Sequence, residues 1–212
     1  MIRETIVTTC DADGRVHVAP FGLTEADGGW IIAPFKPSAS LDNLRAVPFA
    51  VANHVDDVRV FAGCLTGRRD WPLMPSTHVP PPHLAAAITH QEMEVARVEE
   101  DEQRPRFLCR VIHEEAHAPF AGFNRAQAAV IEGAVLVSRL FMLPREKVER
   151  EIAYLEIAVS KTAGPREREA WGWLMAAVDR FYAGQASSAT ATAGAQSAAP
   201  GAEASGGSPA RS

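Results

Sequence analysis

Short runs of β-branched and apolar residues, alternating with polar ones, fill the first half of this chain. Glu4 to Cys10 is rich in Thr, Ile and Val, Asp11-Ala12-Asp13-Gly14 reads as a turn, and Arg15 to Pro20 alternates with the period of two expected of a half-buried strand. Asp27-Gly28-Gly29 gives a second turn and Trp30 to Ala33 a third strand. Ser40 to Ala46 fits a short helix, Phe49 to Asn53 a strand, and Val58 to Gly63 either a strand or a turn of helix. The prolines from Pro72 to Pro82 predict a loop, because proline neither donates to a ladder nor continues a helix. Glu94–Glu99 and Arg106–Ile112, joined by an acidic turn at Asp101-Glu102, predict an antiparallel hairpin.

The period becomes helical from Asn124. Asn124 with Gln127 resembles a capping box ahead of the nearly apolar run Ala126–Phe141. Pro144 suits the first turn of a second helix ending near Gly164, and Pro165 starts a third that ends at Tyr182. Strands first and helices last is an α+β arrangement. Residues 183–212 hold no Leu, Ile, Val, Met or aromatic residue, so they cannot offset their ordering entropy and are expected to be disordered.

With 212 residues, 47% of them hydrophobic, the chain can bury one core and a helical appendage. A net charge of −5 without a basic run argues against a nucleic-acid partner, and no apolar run reaches the roughly 20 residues of a membrane span. The start Met1–Thr5 lacks the apolar core of a signal peptide, which predicts a cytoplasmic chain. Cys10, Cys64 and Cys109 are odd in number and far apart, so free thiols are expected.

The richest segment chemically is Phe35–Leu44, where Lys36, Ser38, Ser40 and Asn43 crowd the start of the predicted short helix. Hydroxyls, an ammonium and free backbone N–H groups at a helix start are what a phosphate needs. His113-Glu114-Glu115-Ala116-His117 matches the zinc-protease pattern His-Glu-x-x-His. That chemistry needs a helix to put both imidazoles on one face, whereas the preceding residues read as strand and Pro119 follows closely. The metzincin glycine is also missing, Phe120 standing in its place. As a strand end, the segment puts His113, Glu115 and His117 on one face and Glu114 on the other. Pro20 and Gly22 interrupt their strand, marking an edge, a bulge, a barrel corner or a ligand's close approach. Asn53 either ends its strand or offers an amide to a polar ring edge. Arg125, Glu132 and Arg139, seven apart, make one stripe that faces solvent, a cofactor pocket or a dimer partner.

Glu4–Thr9, the Ala19-Pro20-Phe21-Gly22 corner, the Ser-x-Ser-x-x-Asn-Leu loop from Ser38 to Leu44 and the helix start Phe123–Ala126, in that order, resemble the DUF447 family over roughly residues 2–180. This family is related to the flavin-reductase-like, FMN-binding split barrels, and its bacterial members look associated with tetrahydromethanopterin-linked one-carbon metabolism. The resemblance implies a split β-barrel over residues 1–120, a helical region of about three helices packed on it over 121–183, and a disordered Ala/Ser/Gly-rich tail over 184–212. It further implies a homodimer with FMN near the subunit interface. The phosphate would fall to Lys36, Ser38, Ser40 and the backbone before Leu41. Pro20, Phe21, Gly22 and Asn53 would border the isoalloxazine ring, with Thr24 and Asn43 as further contacts. Asn124, Arg125 and Glu132 resemble family positions, with ordering of the pocket or of the dimer as the roles they would take, and Arg125 is counted among the cofactor-binding residues. The loop offers only serines and one lysine where many relatives carry a further basic or threonine-type contact.

Three functions compete on this reading. The first is an FMN-dependent oxidoreductase, with a nicotinamide or other small-molecule donor meeting the flavin transiently, since no dinucleotide-binding glycine motif is visible. The second is a non-catalytic flavin-binding or assembly protein. The third, remote, is a zinc hydrolase using His113 and His117.

Overall fold

The computed structural model describes residues 1–197. Its strands are β1 (Ile2–Cys10), β2 (Val16–Ala26), β3 (Gly29–Ile32), β4 (Phe49–Val55), β5 (Leu73–Met74), β6 (His83–Leu84), β7 (Ala87–Glu99) and β8 (Arg106–Ala116). Its helices are α1 (Ala39–Ala46), α2 (Arg59–Leu65), α3 (Arg125–Val137), α4 (Arg145–Thr162) and α5 (Pro165–Ser197). Six strands close an antiparallel barrel in the order β1-β2-β3-β8-β7-β4, while β5 and β6 pair separately.

The α+β division therefore stands. The 58–63 segment is helical, and β7 and β8 are longer than the hairpin read from their alternation. The third helix also runs on past Tyr182 to Ser197, beyond the end set by composition. Ala is the best helix former and no proline stands between Pro165 and Pro200, so nothing local stops the helix where its apolar side chains run out. The remainder of the expected disordered tail, residues 198–212, lies outside the described residues.

Val7, Leu23, Ile32, Ala50, Ala52, Met93 and Phe107 fill the barrel, and Leu41 and Leu44 of α1 close one end of it. These two helix positions, three apart, share a face, and burying each is worth about 1.5–3 kcal/mol. A second core joins α3, α4 and α5 through Val130, Trp171 and Leu174. The short helix α2 couples the two regions: Val60 and Phe61 pack with Ile6 of the barrel wall, and Val58 and Ala62 pack with the helical layer. Asn124 caps α3 as expected, its Oδ1 accepting from Ala126 N and Gln127 N at 2.7 and 3.3 Å. The reciprocal half of the capping box does not form, because Gln127 Nε2 donates to Asp56 O and to Glu167 instead.

The proline-rich loop is held against the outside of the barrel. Thr8 Oγ1 donates to Pro82 O, and Asn53 Oδ1 accepts from Leu84 N at 2.7 Å. The Glu92 carboxylate accepts from Thr77 N and His78 N, each at 2.6 Å.

Candidate functional site

Helix α1 begins where the chain leaves β3 and turns beneath the β7–β8 connection. Ser38 is its N-cap, extended at φ −160° and ψ 150°, with Oγ accepting from Leu41 N at 3.3 Å. Because that bond uses an Oγ lone pair, the hydroxyl hydrogen stays available to a ligand. The N–H groups of Ala39 and Ser40, in the first turn, find no acceptor among the described residues. These donors and the positive end of the helix fit the phosphate of a flavin mononucleotide.

The neighbouring cations are partly spent. Lys36 Nζ donates to Asp101 O at 2.7 Å and lies 3.6 Å from Glu100, which also pairs with Arg45 at 3.0 Å. Arg104 donates to Ala33 O and stacks over the exposed ring of Phe35. Lys36 is therefore held on the 100–103 connection. In the same connection Asp101 accepts from Arg104 N and Gln103 N, which holds its carboxyl below the usual carboxylate range.

The expected site residues divide into those at this end of the barrel and those elsewhere. Phe21 packs against the core that contains Leu41, so the Pro20-Phe21-Gly22 corner lies on the strand beside α1. From Val16 to Leu23, β2 pairs only with β1, since β3 meets it at Thr24–Ala26; this open margin accommodates proline without loss of a ladder. Thr24 is half-buried opposite Ile31. Ser40 and Asn43 are buried, and Asn43 Nδ2 donates to Thr9 Oγ1 at 3.0 Å, tying α1 to β1.

Asn53 differs from its expected role. It is wholly buried on the outer face of β4, with Oδ1 on Leu84 N and Nδ2 donating to Ile6 O and Val51 O. Its amide anchors the proline-rich loop instead of presenting to a ring. Arg125, Glu132 and Arg139 are all exposed on the helical layer, whereas α1 packs on β1 and β2. Solvent is thus the face this stripe meets in the single chain. Asn124 is spent on its cap and on Thr162 O.

The His-Glu-x-x-His segment lies in and just after β8, so the helix required by a zinc protease is absent there. Sequence reasoning missed what that strand end meets. Glu92 opposes His113, while Met93 opposes Val111, so Ile112 is an extra residue. The bulge turns His113 away from the barrel interior occupied by Cys109, toward Glu92 on the outer face. Burial works to raise the Glu92 carboxyl, but the N–H groups of Thr77 and His78 and the ring of His90 outweigh it and hold it below its ordinary value. Burial and the neighbouring rings of His83 and His117 lower His90, with the bond to Glu92 opposing them. The sequence signal for this cluster is the number of histidines between residues 78 and 117.

Two family profiles match the chain, one for the N-terminal domain of a protein of unknown function (DUF447) over residues 3–118 and one for the DUF447 C-terminal part over 124–176. The chain belongs to the DUF447 family. Among solved structures, the FMN-bound DUF447 protein MM1853 from Methanosarcina mazei superposes with a TM-score of 0.71 at 21% identity, covering 83% of this chain and 94% of that one. The 2-nitrobenzoate 2-nitroreductase NbaA of Pseudomonas fluorescens gives 0.47 at 20% identity, over 54% of this chain and 64% of that one. An FMN-binding protein from Thermus thermophilus gives 0.47 at 16% identity, over 54% and 71% respectively. No curated protein matches this chain in sequence. The DUF447 fold seen here is the FMN-binding split-barrel architecture with C-terminal helices added. Among the described residues, no helix is long and apolar enough to cross a membrane, and all three cysteines are free.

Proposed function

We propose that this DUF447 protein binds FMN at the α1 end of its barrel and serves as a flavin-dependent oxidoreductase. The observation that carries the reading is the start of α1, where the open N–H groups of Ala39 and Ser40 and the Ser38 hydroxyl lie near Lys36, on the fold of an FMN-bound relative. Ser38 and the two N–H groups would hold the phosphate, with Lys36 supplying charge once it leaves Glu100. Phe21 would give the ring an apolar contact at the open margin of β2, with the backbone of Pro20 and Gly22 beside it and Thr24 further along the same strand.

Bound FMN supplies hydride and single-electron chemistry, so the protein's task is to orient the ring and exclude water from it. No side-chain acid or base near α1 is needed for that task. A homodimer belongs to the same proposal. Phe123, wholly exposed, and the exposed Phe120, Phe141 and Met142 are apolar surface that a second copy would cover. The link to tetrahydromethanopterin-dependent one-carbon metabolism rests on the family resemblance. Purification without added flavin, followed by an absorption spectrum and then anaerobic NADH or NADPH, tests the proposal. A yellow protein that bleaches with either donor is expected. A colourless protein that fails to bind added FMN would refute the binding claim, and a yellow protein inert to every donor offered would reduce it to flavin carriage.

A further inference from the structure

Five of the chain's seven histidines, His78, His83, His90, His113 and His117, gather where the proline-rich loop meets β7 and the end of β8. His83 comes from the loop's own strand β6, His90 from β7 and His117 from just beyond β8. One ring nitrogen from each of His83, His90 and His117 lies within 4.8 Å of the other two. His90 Nδ1 and His117 Nε2 are 2.7 Å apart.

The partners of these rings determine which nitrogens carry protons. His83 Nδ1 is 3.1 Å from the Leu84 carbonyl oxygen, an acceptor, so Nδ1 carries the hydrogen and Nε2 keeps its lone pair. His90 Nε2 faces the Glu92 carboxylate at 3.4 Å, so Nε2 carries the hydrogen and Nδ1 keeps its lone pair. His117 Nε2 then donates to His90 Nδ1. A ring held by an outer carbonyl or carboxylate, its other nitrogen turned inward, is how proteins prepare imidazoles for a metal. His90 has that arrangement; His83 has the outer hold on Nδ1 but lies parallel to the His90 ring, and Glu92, His90 and His83 are all at most 8% exposed.

We propose that His83 Nε2, His90 Nδ1 and His117 Nε2 form a mononuclear site for a divalent transition metal such as zinc. All-imidazole ligation selects borderline metals of this kind over calcium or magnesium. Metal replaces the proton shared by His90 and His117, and that proton moves through solvent to His117 Nδ1, so the three ligands stay neutral. Tetrahedral zinc with Zn–N bonds of about 2.0–2.1 Å needs ligand nitrogens about 3.3 Å apart. His90 and His117 separate slightly to reach this. His83, stacked on His90 with its ring plane only 2° away, must tilt about its bond to Leu84 O.

The competing triad of His90, His113 and Glu115 has His90 as its only buried member, whereas His83 and His90 are both buried here. Three imidazoles leave one position for water, and the metal would pin the loop through His83 to the barrel through His90 and His117. This site lies on the outer face of β4 and β7 and is independent of the flavin proposal.

The test uses the full chain, stripped with chelator, loaded with zinc sulfate and desalted, with metal measured by mass spectrometry and affinity by competition with a chromophoric chelator. About one zinc per chain is expected. His117→Ala, at an exposed position, and His83→Ala should each lower affinity by more than the roughly 10–100-fold that loss of an outer-shell partner costs. His17→Ala, on β2, should leave it unchanged. Long-range nitrogen-15 correlation spectra should show zinc-dependent shifts at His83 Nε2 and His90 Nδ1. Less than a tenth of an equivalent in the wild type, or His117→Ala binding zinc as tightly as wild type, would overturn the site. Because the readout is zinc itself, failure here leaves the flavin reading untouched.

Discussion

Glu92→Gln isolates the energetic role of one buried carboxylate. Glu92 is wholly buried and accepts two backbone N–H groups from the proline-rich loop, each at 2.6 Å. Glutamine keeps the shape but supplies one amide oxygen, so its NH2 group must face the second N–H as donor against donor. One buried N–H left unsatisfied costs about 1–3 kcal/mol, and the remaining bond loses its charge assistance. The expected loss is about 2–4 kcal/mol, read as a shift of the urea midpoint at unchanged slope. The effect should depend on pH. The folded-state pKa of Glu92 is lowered relative to the unfolded chain, so its stabilisation is complete above about pH 5 and disappears as pH falls through the folded value. The difference between wild type and Glu92→Gln must therefore narrow in acid, while amide exchange at Thr77 and His78 accelerates in the variant at neutral pH. A midpoint within about 0.5 kcal/mol of wild type at neutral pH, or a gap that widens in acid, would refute the clamp.

Other substitutions probe the remaining contacts. Ser38→Ala should weaken FMN binding by about 1.5–3 kcal/mol, or roughly 10–150-fold, with Ser40→Ala adding little because Ser40 is buried; unchanged titrations for the Ser38→Ala, Ser40→Ala double variant would remove the phosphate assignment. Asn124→Ala deletes the α3 cap and its tie to Thr162, and about 1–2 kcal/mol of stability should be lost in denaturant melts. Gly29→Ala brings a methyl within 2.0 Å of the Cys109 carbonyl oxygen across the β3–β8 pair. Since backbone must move to admit it, a thermal melt should show destabilisation of at least about 2 kcal/mol, and a wild-type melting point would mean that the strands are not so close.

Much of the barrel could be read from local pattern. The turn at Gly14, where φ is 81°, and that at Gly28, where φ is 73°, follow from glycine's tolerance of the left-handed region, and the Ser38 and Asn124 caps follow from short oxygen-bearing side chains. The capped start of α1, with its hydroxyls and N–H groups close together, was also legible, because those donors are neighbours in sequence. Asn53 was not. Its side chain answers to Leu84, thirty-one residues away, and no period in the sequence records that bond.

The sequence by itself determined the strand-then-helix order, the short helix behind the serine loop and the family, because each depends on propensity, capping and spacing over a few residues. Only the tertiary structure decided where Ile112 bulges, which face His113 takes, and that Glu92 lies beneath a proline-rich loop. The physical reason is that a single extra residue reverses the alternation of everything beyond it, and whether a strand admits that residue depends on the partner strand. The histidine cluster exists because three distant segments converge on the outside of the barrel, with the β8 bulge turning His113 to that face.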